Sequence, residues 1–403
     1  MVRGSAPHAV LLSGPSGVGK TTLALDLAAG LLCTAEDPTE RPCRTCRGCR
    51  MVAHGGHPDL HLLAPEGAGS QIVIGGRDAK SRGVRDLAED LALMPMEGGA
   101  RVAVISGAHR MNEEAQGALL KTLEEPPAGV TIVLCSDDED RLLPTVRSRC
   151  ARIRLGRVGA RDVEAILLAQ GILDLPLAGR LARISGGRPG VALAYARSPE
   201  AVRARGDLAR RFLDLLEASP AARLAAIRGA TPTALEMVDA LDAGAAAATA
   251  VLSDDDPVVR RAASGPHRGK GRSPESASAK GLGDRGDAGP LGADDPTADD
   301  ESADDSPGKA VPAARRRRAA EALISVWMDV TRDLALVQAG GARSVLDTAL
   351  LEEFVAATAA IAPDSLAAFL LRLARGAELV AGNVSPELVL DSLVLAWPTR
   401  RAA

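Results

Sequence analysis

Ala9-Val-Leu-Leu-Ser13, an apolar strand candidate, runs directly into Gly14-Pro-Ser-Gly-Val-Gly-Lys-Thr21, and an apolar helical pattern follows to about Leu32. This is the complete Gly-x-x-x-x-Gly-Lys-Thr pattern in the strand-loop-helix context it requires. Gly14, Gly17 and Gly19 let backbone N–H groups turn inward around phosphate oxygens. Lys20 supplies a point charge for the β- and γ-phosphates, and Thr21, with Thr22 beside it, can hold Mg²⁺. The competing reading, a chance glycine-rich turn, does not explain the full match in that context.

Immediately downstream come Cys33 and then Cys43-Arg-Thr-Cys46-Arg-Gly-Cys49. Two successive Cys-x-x-Cys steps wrap tightly around one ion, and Cys33 at the end of the preceding helix can complete a tetrahedral thiolate set of the structural zinc kind. A redox dithiol, or a site that takes His54, His57 or His61 in place of Cys33, are the alternatives. The three histidines read as loop or surface residues.

The bulk numbers restrict the setting. A chain of 403 residues supports about two to four domains. With 1% aromatic residues, its cores must be built from Leu, Val, Ile and Ala, which suits helices better than barrels or sandwiches. A net charge of -4 marks no dedicated nucleic-acid binder. No signal core and no run of eighteen apolar residues is found, so a soluble protein of the cytoplasm is expected.

Further along, Gln71 to Ile74 reads as a short strand and Val84 to Leu93 as an amphipathic helix. Arg101-Val-Ala-Val-Ile105 is a buried strand placed where a P-loop ATPase carries acids for Mg²⁺ and the attacking water. Here the strand runs into Ser106-Gly107-Ala108-His109, and the nearest acids, Glu113 and Glu114, fall on the next helix. Hydrolysis is therefore expected to be weak or absent, with His109 as a substitute base set against a cap or packing role. The helix Glu113 to Glu124 stops at Pro126-Pro127. Val130 to Cys135 forms the next strand, with Ser136 at its tip able to bond a γ-phosphate or a water. A last strand, Ala151 to Leu155, closes the first domain.

The blocks Gly14 to Thr21, the four cysteines after the first helix, Leu119-Leu-Lys-Thr-Leu-Glu-Glu-Pro-Pro127 and Ser148-Arg149-Cys150 resemble the AAA+ clamp-loader subunits of bacterial DNA polymerase III over about the first 155 residues. The resemblance implies an α/β P-loop AAA+ domain with a parallel sheet, a zinc-binding insert, a helical lid and an all-α C-terminal collar. It implies that Arg149 is an arginine finger offered across a subunit boundary, the alternative being an ion pair within its own domain. Arg188 stands at the position resembling a second sensor of γ-phosphate, or is a surface arginine near a glycine turn. The implied partners are tau, gamma and delta subunits in a hetero-pentamer that loads a sliding clamp on primed DNA during replication.

Two subunit types share these blocks. Motor subunits usually carry Asp-Glu where this chain has Ser106-Gly107, which favours the non-motor type; an intact Lys20 leaves ATP/Mg²⁺ binding open. An ATP-hydrolysing motor and a small-molecule P-loop kinase are the runner-up functions. Only eight residues precede Ala9, where the family usually has helices and a loop touching the adenine, so a truncated chain or a late start is expected.

The expected division is an AAA+ domain over 1–156 with the zinc insert at 33–60, a lid over 157–199, collar helices over 200–252 and 314–403, and a disordered insertion over 253–313. That insertion is dominated by Gly, Pro, Ser, Asp and Ala without apolar periodicity. Arg315 to Arg318 read as solvated charge, or as a basic run touching DNA.

Overall fold

The structure is a computed structural model that describes residues 7–65, 71–75, 82–97, 99–254, 312–359, 361–382 and 384–399, with only the backbone described at 246–254 and 363. Residues 1–255 with 312–403 form one compact unit, while 256–311, and with them nearly all of the expected disordered insertion, lie outside the described residues.

Five parallel strands make the sheet: β1 (Ala9–Ser13), β2 (Leu60–Leu63), β3 (Arg101–Ile105), β4 (Val130–Ser136) and β5 (Ala151–Arg154), in the order β2-β3-β4-β1-β5. Strands β1, β3 and β4 are continuous apolar runs because helices cover both their faces. One face packs Leu11, Ala103, Ile105, Ile132 and Leu134 against α3 (Val84–Leu91) and α4 (Glu113–Glu124). The other packs Val10, Leu12, Val102, Val104 and Val133 against α1 (Lys20–Leu31) and the short α2 (Arg47–Ala53). Asn112 caps α4 by accepting from the Ala115 N–H at 2.9 Å.

Two expectations need correcting. Gln71 to Ile74 is not a strand: Ile72 forms an isolated bridge with Met111, its N–H reaching Arg110 O at 3.1 Å. The fifth strand is Leu60-His-Leu-Leu63, which pairs Leu60 with Val102 and Leu63 with Ile105. It is only four residues long and contains a histidine, so alternation could not separate it from the loop around it. His61 accordingly lies in a strand instead of the loop or surface position expected, whereas His57 does lie in a loop, though a buried one.

After α5 (Pro144–Arg147) and β5, the chain is helical: α6 (Ala160–Ala169), α7 (Leu175–Ile184), α8 (Pro189–Arg197), α9 (Pro199–Asp214), α10 (Pro220–Asp254), α11 (Ala313–Gln338), α12 (Leu351–Thr358), α13 (Pro363–Ala381) and α14 (Pro386–Leu395). One continuous apolar cluster runs from Val163 to Trp397, so the lid helices and the C-terminal helices share a core. Its centre is aromatic. Trp327 stacks on Phe212 with ring centroids 4.6 Å apart and meets Trp397 at 5.3 Å, while Phe369 closes the group edge-on at 4.8 Å from Trp397.

Three of the four arginines that open α11 are half-exposed, as solvated charge should be, and each is also ion-paired. Arg315 pairs with Asp239, Arg316 with Glu387 at 2.9 Å and Arg318 with Asp242 at 2.7 Å, tying α11 to α10 and α14. Among the described residues no helix is long and apolar enough to cross a membrane.

Candidate functional site

The register of the sheet sets the site. Ser13 pairs with Ser136, so the C-terminal tips of β1 and β4 lie side by side, and the Gly14 N–H bonds Ser136 O at 3.2 Å. Here two adjacent strands send their loops apart, the crevice in which open α/β sheets bind ligands. A cavity of about 540 Å³ opens above these tips, lined by Gly17, Gly19, Lys20, Thr21, Thr22, Ser106, His109 and Asp137.

Two glycines have plain steric reasons. Gly14 sits at φ 145°, and a Cβ there would lie 2.1 Å from Leu155 O, where β5 ends. Gly17, at φ 80°, is where the lid docks: a Cβ would come within 2.8 Å of Val191 Cγ2, and the Gly190 N–H bonds Gly17 O at 2.9 Å. The first turn of α8 thus rests on the phosphate loop itself.

Lys20 is buried. Its Nζ donates to Gly14 O and Pro15 O, both at 2.7 Å, and lies 2.7 Å from Asp137 Oδ1. Asp137 follows the tip of β4 directly and brings a carboxylate into the pocket, where sequence reading placed the nearest acids at Glu113 and Glu114. The Asp137 N–H in turn bonds His109 Nδ1 at 3.1 Å. Burial holds the His109 pKa below its ordinary value, against the opposing pull of Asp137. Through Nδ1 the imidazole acts as an acceptor that positions the Asp137 backbone, the packing role weighed for it in the sequence.

Ser136 is placed differently from expectation. It is fully buried, its hydroxyl donates to Asp138 O at 2.7 Å, and its neighbours Cys135 and Asp137 line the pocket in its stead. Arg188 also faces elsewhere: its Nε donates to Ser185 O at 2.8 Å, and burial lowers its pKa while Asp329 opposes the shift. The arginines that do line the cavity are Arg110 and Arg318, the latter paired with Asp242 on the wall. Sequence reading missed Asp137, Arg110 and Arg318. The only advance signal was the Asp137-Asp138 pair directly after the β4 tip.

Arg149 is held at the corner after α5. Its Nη1 donates to Thr145 O at 2.9 Å, and its Nη2 lies 2.5 Å from Glu124 Oε1 at the end of α4. The side chain remains 34% exposed.

The cysteines form a second site. The sulfurs of Cys33, Cys43, Cys46 and Cys49 all lie within 4.8 Å of one another, with Cys33 and Cys46 at 3.9 Å. Tetrahedral zinc with bonds of about 2.3 Å places its sulfurs about 3.8 Å apart, so the set fits such an ion. The local fold aims N–H groups at sulfur: Cys46 N–H to Cys43 Sγ at 3.3 Å, Cys49 N–H to Cys46 Sγ at 3.4 Å and Cys43 N–H to Cys33 Sγ at 3.5 Å. Burial works against the Cys46 thiolate, but N–H donors from Cys49 and Thr34 outweigh it and bring the thiol to about 5. The histidine alternatives fall away. His57 Nδ1 accepts from the Asp59 N–H at 3.1 Å and His61 faces Asp90 at 3.7 Å, while His54 ends α2.

A parallel sheet in this order, a glycine-rich loop after β1, a helical segment resting on that loop and a four-cysteine insert after α1 define an α/β P-loop protein with a helical C-terminal region. Residues 1–158 match the family model described as DNA polymerase III, delta subunit. The chain is 37% identical over 194 residues to the DNA polymerase III subunit delta′ of Pseudomonas aeruginosa, covering 46% of this chain and 55% of that one. It is 38% identical over 163 residues to the subunit tau of Salmonella typhimurium, covering 40% of this chain and 23% of that one. A DNA polymerase III gamma subunit-related protein from Thermotoga maritima overlaps 59% of this chain and 80% of its own, at 17% identity and a TM-score of 0.36. The chain spans about half the length of the curated delta′ relatives it matches.

Proposed function

We propose that the chain is a delta′-type subunit of a DNA polymerase III clamp loader, which assembles with tau or gamma and delta subunits to load a sliding clamp on primed DNA. The observation that carries this reading is the end of β3. It runs into Ser106-Gly107, whose side chains neither neutralise Mg²⁺ nor take a proton from water, in a chain otherwise built like a nucleotide-dependent motor. The matched relatives, by name subunits delta′ and tau of DNA polymerase III, support assembly with that complex.

In this reading the chain's chemistry is exported. Arg149, partly exposed and held by Glu124, Thr145 and Ser148, is offered to a neighbouring subunit's γ-phosphate. Gly14, Gly17, Gly19, Lys20, Thr21 and Thr22 would hold the phosphates and Mg²⁺ of any ATP this chain takes. The role of Ser136 and Arg188 is to fix the β4 tip and the lid turn around that pocket. Cys33, Cys43, Cys46 and Cys49 would hold a structural zinc. A closed thiolate set leaves no position for a reacting water, so the ion fixes the loop between α1 and β2 and does no catalysis. The cytoplasm is the compartment where such a machine and free thiols belong.

Co-expression with the tau or gamma and delta subunits of the same genome tests the assembly. Co-purification as one complex is expected; a chain that elutes alone from every combination contradicts it.

A further inference from the structure

We propose that Asp137 occupies the place of a phosphate on Lys20, so that this carboxylate sets how readily the chain takes a nucleoside triphosphate. A lysine ammonium has three N–H donors. On Lys20 three acceptors account for them: Gly14 O, Pro15 O and Asp137 Oδ1, each at 2.7 Å. The Lys20 side chain is 7% exposed and that of Asp137 38%, so water hardly competes for the ammonium while the carboxylate is reachable from the cavity.

The position of Asp137 follows from the fold. The Ser13 and Ser136 pairing fixes the β4 tip beside the phosphate loop. Ser136 Oγ to Asp138 O at 2.7 Å and the Asp137 N–H to His109 Nδ1 at 3.1 Å then hold the backbone on either side. The His109 Nε2 lies 4.0 Å from Asp137 Oδ2, too far to draw the carboxylate off the lysine.

A triphosphate in this pocket needs Lys20 for its own oxygens and would bring like charge against Asp137. Lys20 must first exchange one partner, so apparent affinity is lowered by the fraction of chains in which the ion pair is open. The competing role, a Mg²⁺ ligand replacing the acid missing from β3, is disfavoured because the carboxylate already spends its charge on the ammonium. This inference rests on the phosphate-binding reading of the pocket. It does not depend on assembly with other subunits, which co-purification reads separately.

The test is MgATP binding to the purified full chain by calorimetry, for wild type, Asp137→Ala, Asp137→Asn, Lys20→Ala and the double variant, with folding checked by circular dichroism. Asp137→Ala should bind about tenfold or more tightly than wild type, and Lys20→Ala should abolish that gain. Asp137→Asn, which keeps the shape and drops the charge, should also gain and serves if the alanine variant folds poorly. Unchanged affinity in the neutral variants overturns the proposal, and weaker or lost binding overturns it in favour of a Mg²⁺ ligand.

Discussion

Glu124 Oε1 and Arg149 Nη2 stand 2.5 Å apart, joining the end of α4 to the corner before β5. With the carboxylate 50% and the guanidinium 34% exposed, the pair is screened by water and contributes at most about 1 kcal/mol. Such a pair orients an arginine without committing it. Glu124→Gln should change the stability of the chain by less than about 1 kcal/mol, read by denaturant unfolding. A larger loss would mark the pair as a structural tie and weaken the case for an arginine that can be given to a neighbour.

The pocket predicts little turnover from the chain alone. The β3 tip of serine and glycine offers no acid to activate water, and the Asp137 carboxylate in the pocket is spent on Lys20. Purified protein should therefore hydrolyse ATP no faster than Lys20→Ala. Robust turnover abolished by Lys20→Ala would move the reading to an ATP-hydrolysing motor.

The cysteine insert predicts a metal content. Elemental analysis should find about one zinc per chain, lost in Cys46→Ser. Cys33 and Cys49 are packed in the same apolar cluster as Val10, Leu12 and Val104, so removal of the ion should loosen the end of α1 as well as the loop. Hydrogen exchange should then rise over residues 32–60. Protection unchanged after chelation would show that the insert folds without a metal.

How much of this was legible in the sequence differs by element. The phosphate loop, α4 and the four cysteines were legible because spacing alone carries them: a backbone cradle, an apolar stripe ended by two prolines, and a repeated Cys-x-x-Cys. Asp137 was not, because Ser136-Asp-Asp-Glu-Asp140 reads as an exposed acidic loop until the β1 and β4 register puts its second residue on Lys20. The ion pairs of Arg315, Arg316 and Arg318 were hidden for the same reason, since their partners Asp239, Glu387 and Asp242 lie on α10 and α14, far away in sequence. Strand β2 failed on length.

Lid and C-terminal helices share a buried ion network that should matter for stability. Asp347 is 3% exposed and meets Arg205 and Arg180, both at 3.3 Å, while Arg205 also bonds Asp329 at 2.9 Å. Removing one partner strands a buried charge, so Asp347→Ala should cost about 3–5 kcal/mol. The two tryptophans lie in this shared core, and their fluorescence reports the transition directly. A cost below about 1 kcal/mol would show the network to be solvated.

The most direct test of the central claim is the ATPase of the assembled clamp loader carrying Arg149→Ala in this chain. An arginine finger in trans is worth about 10³–10⁵ in kcat at the site it completes. The account predicts that the complex assembles normally while the ATPase falls with the loss of one site's turnover. An intact complex whose ATPase is unchanged would contradict it.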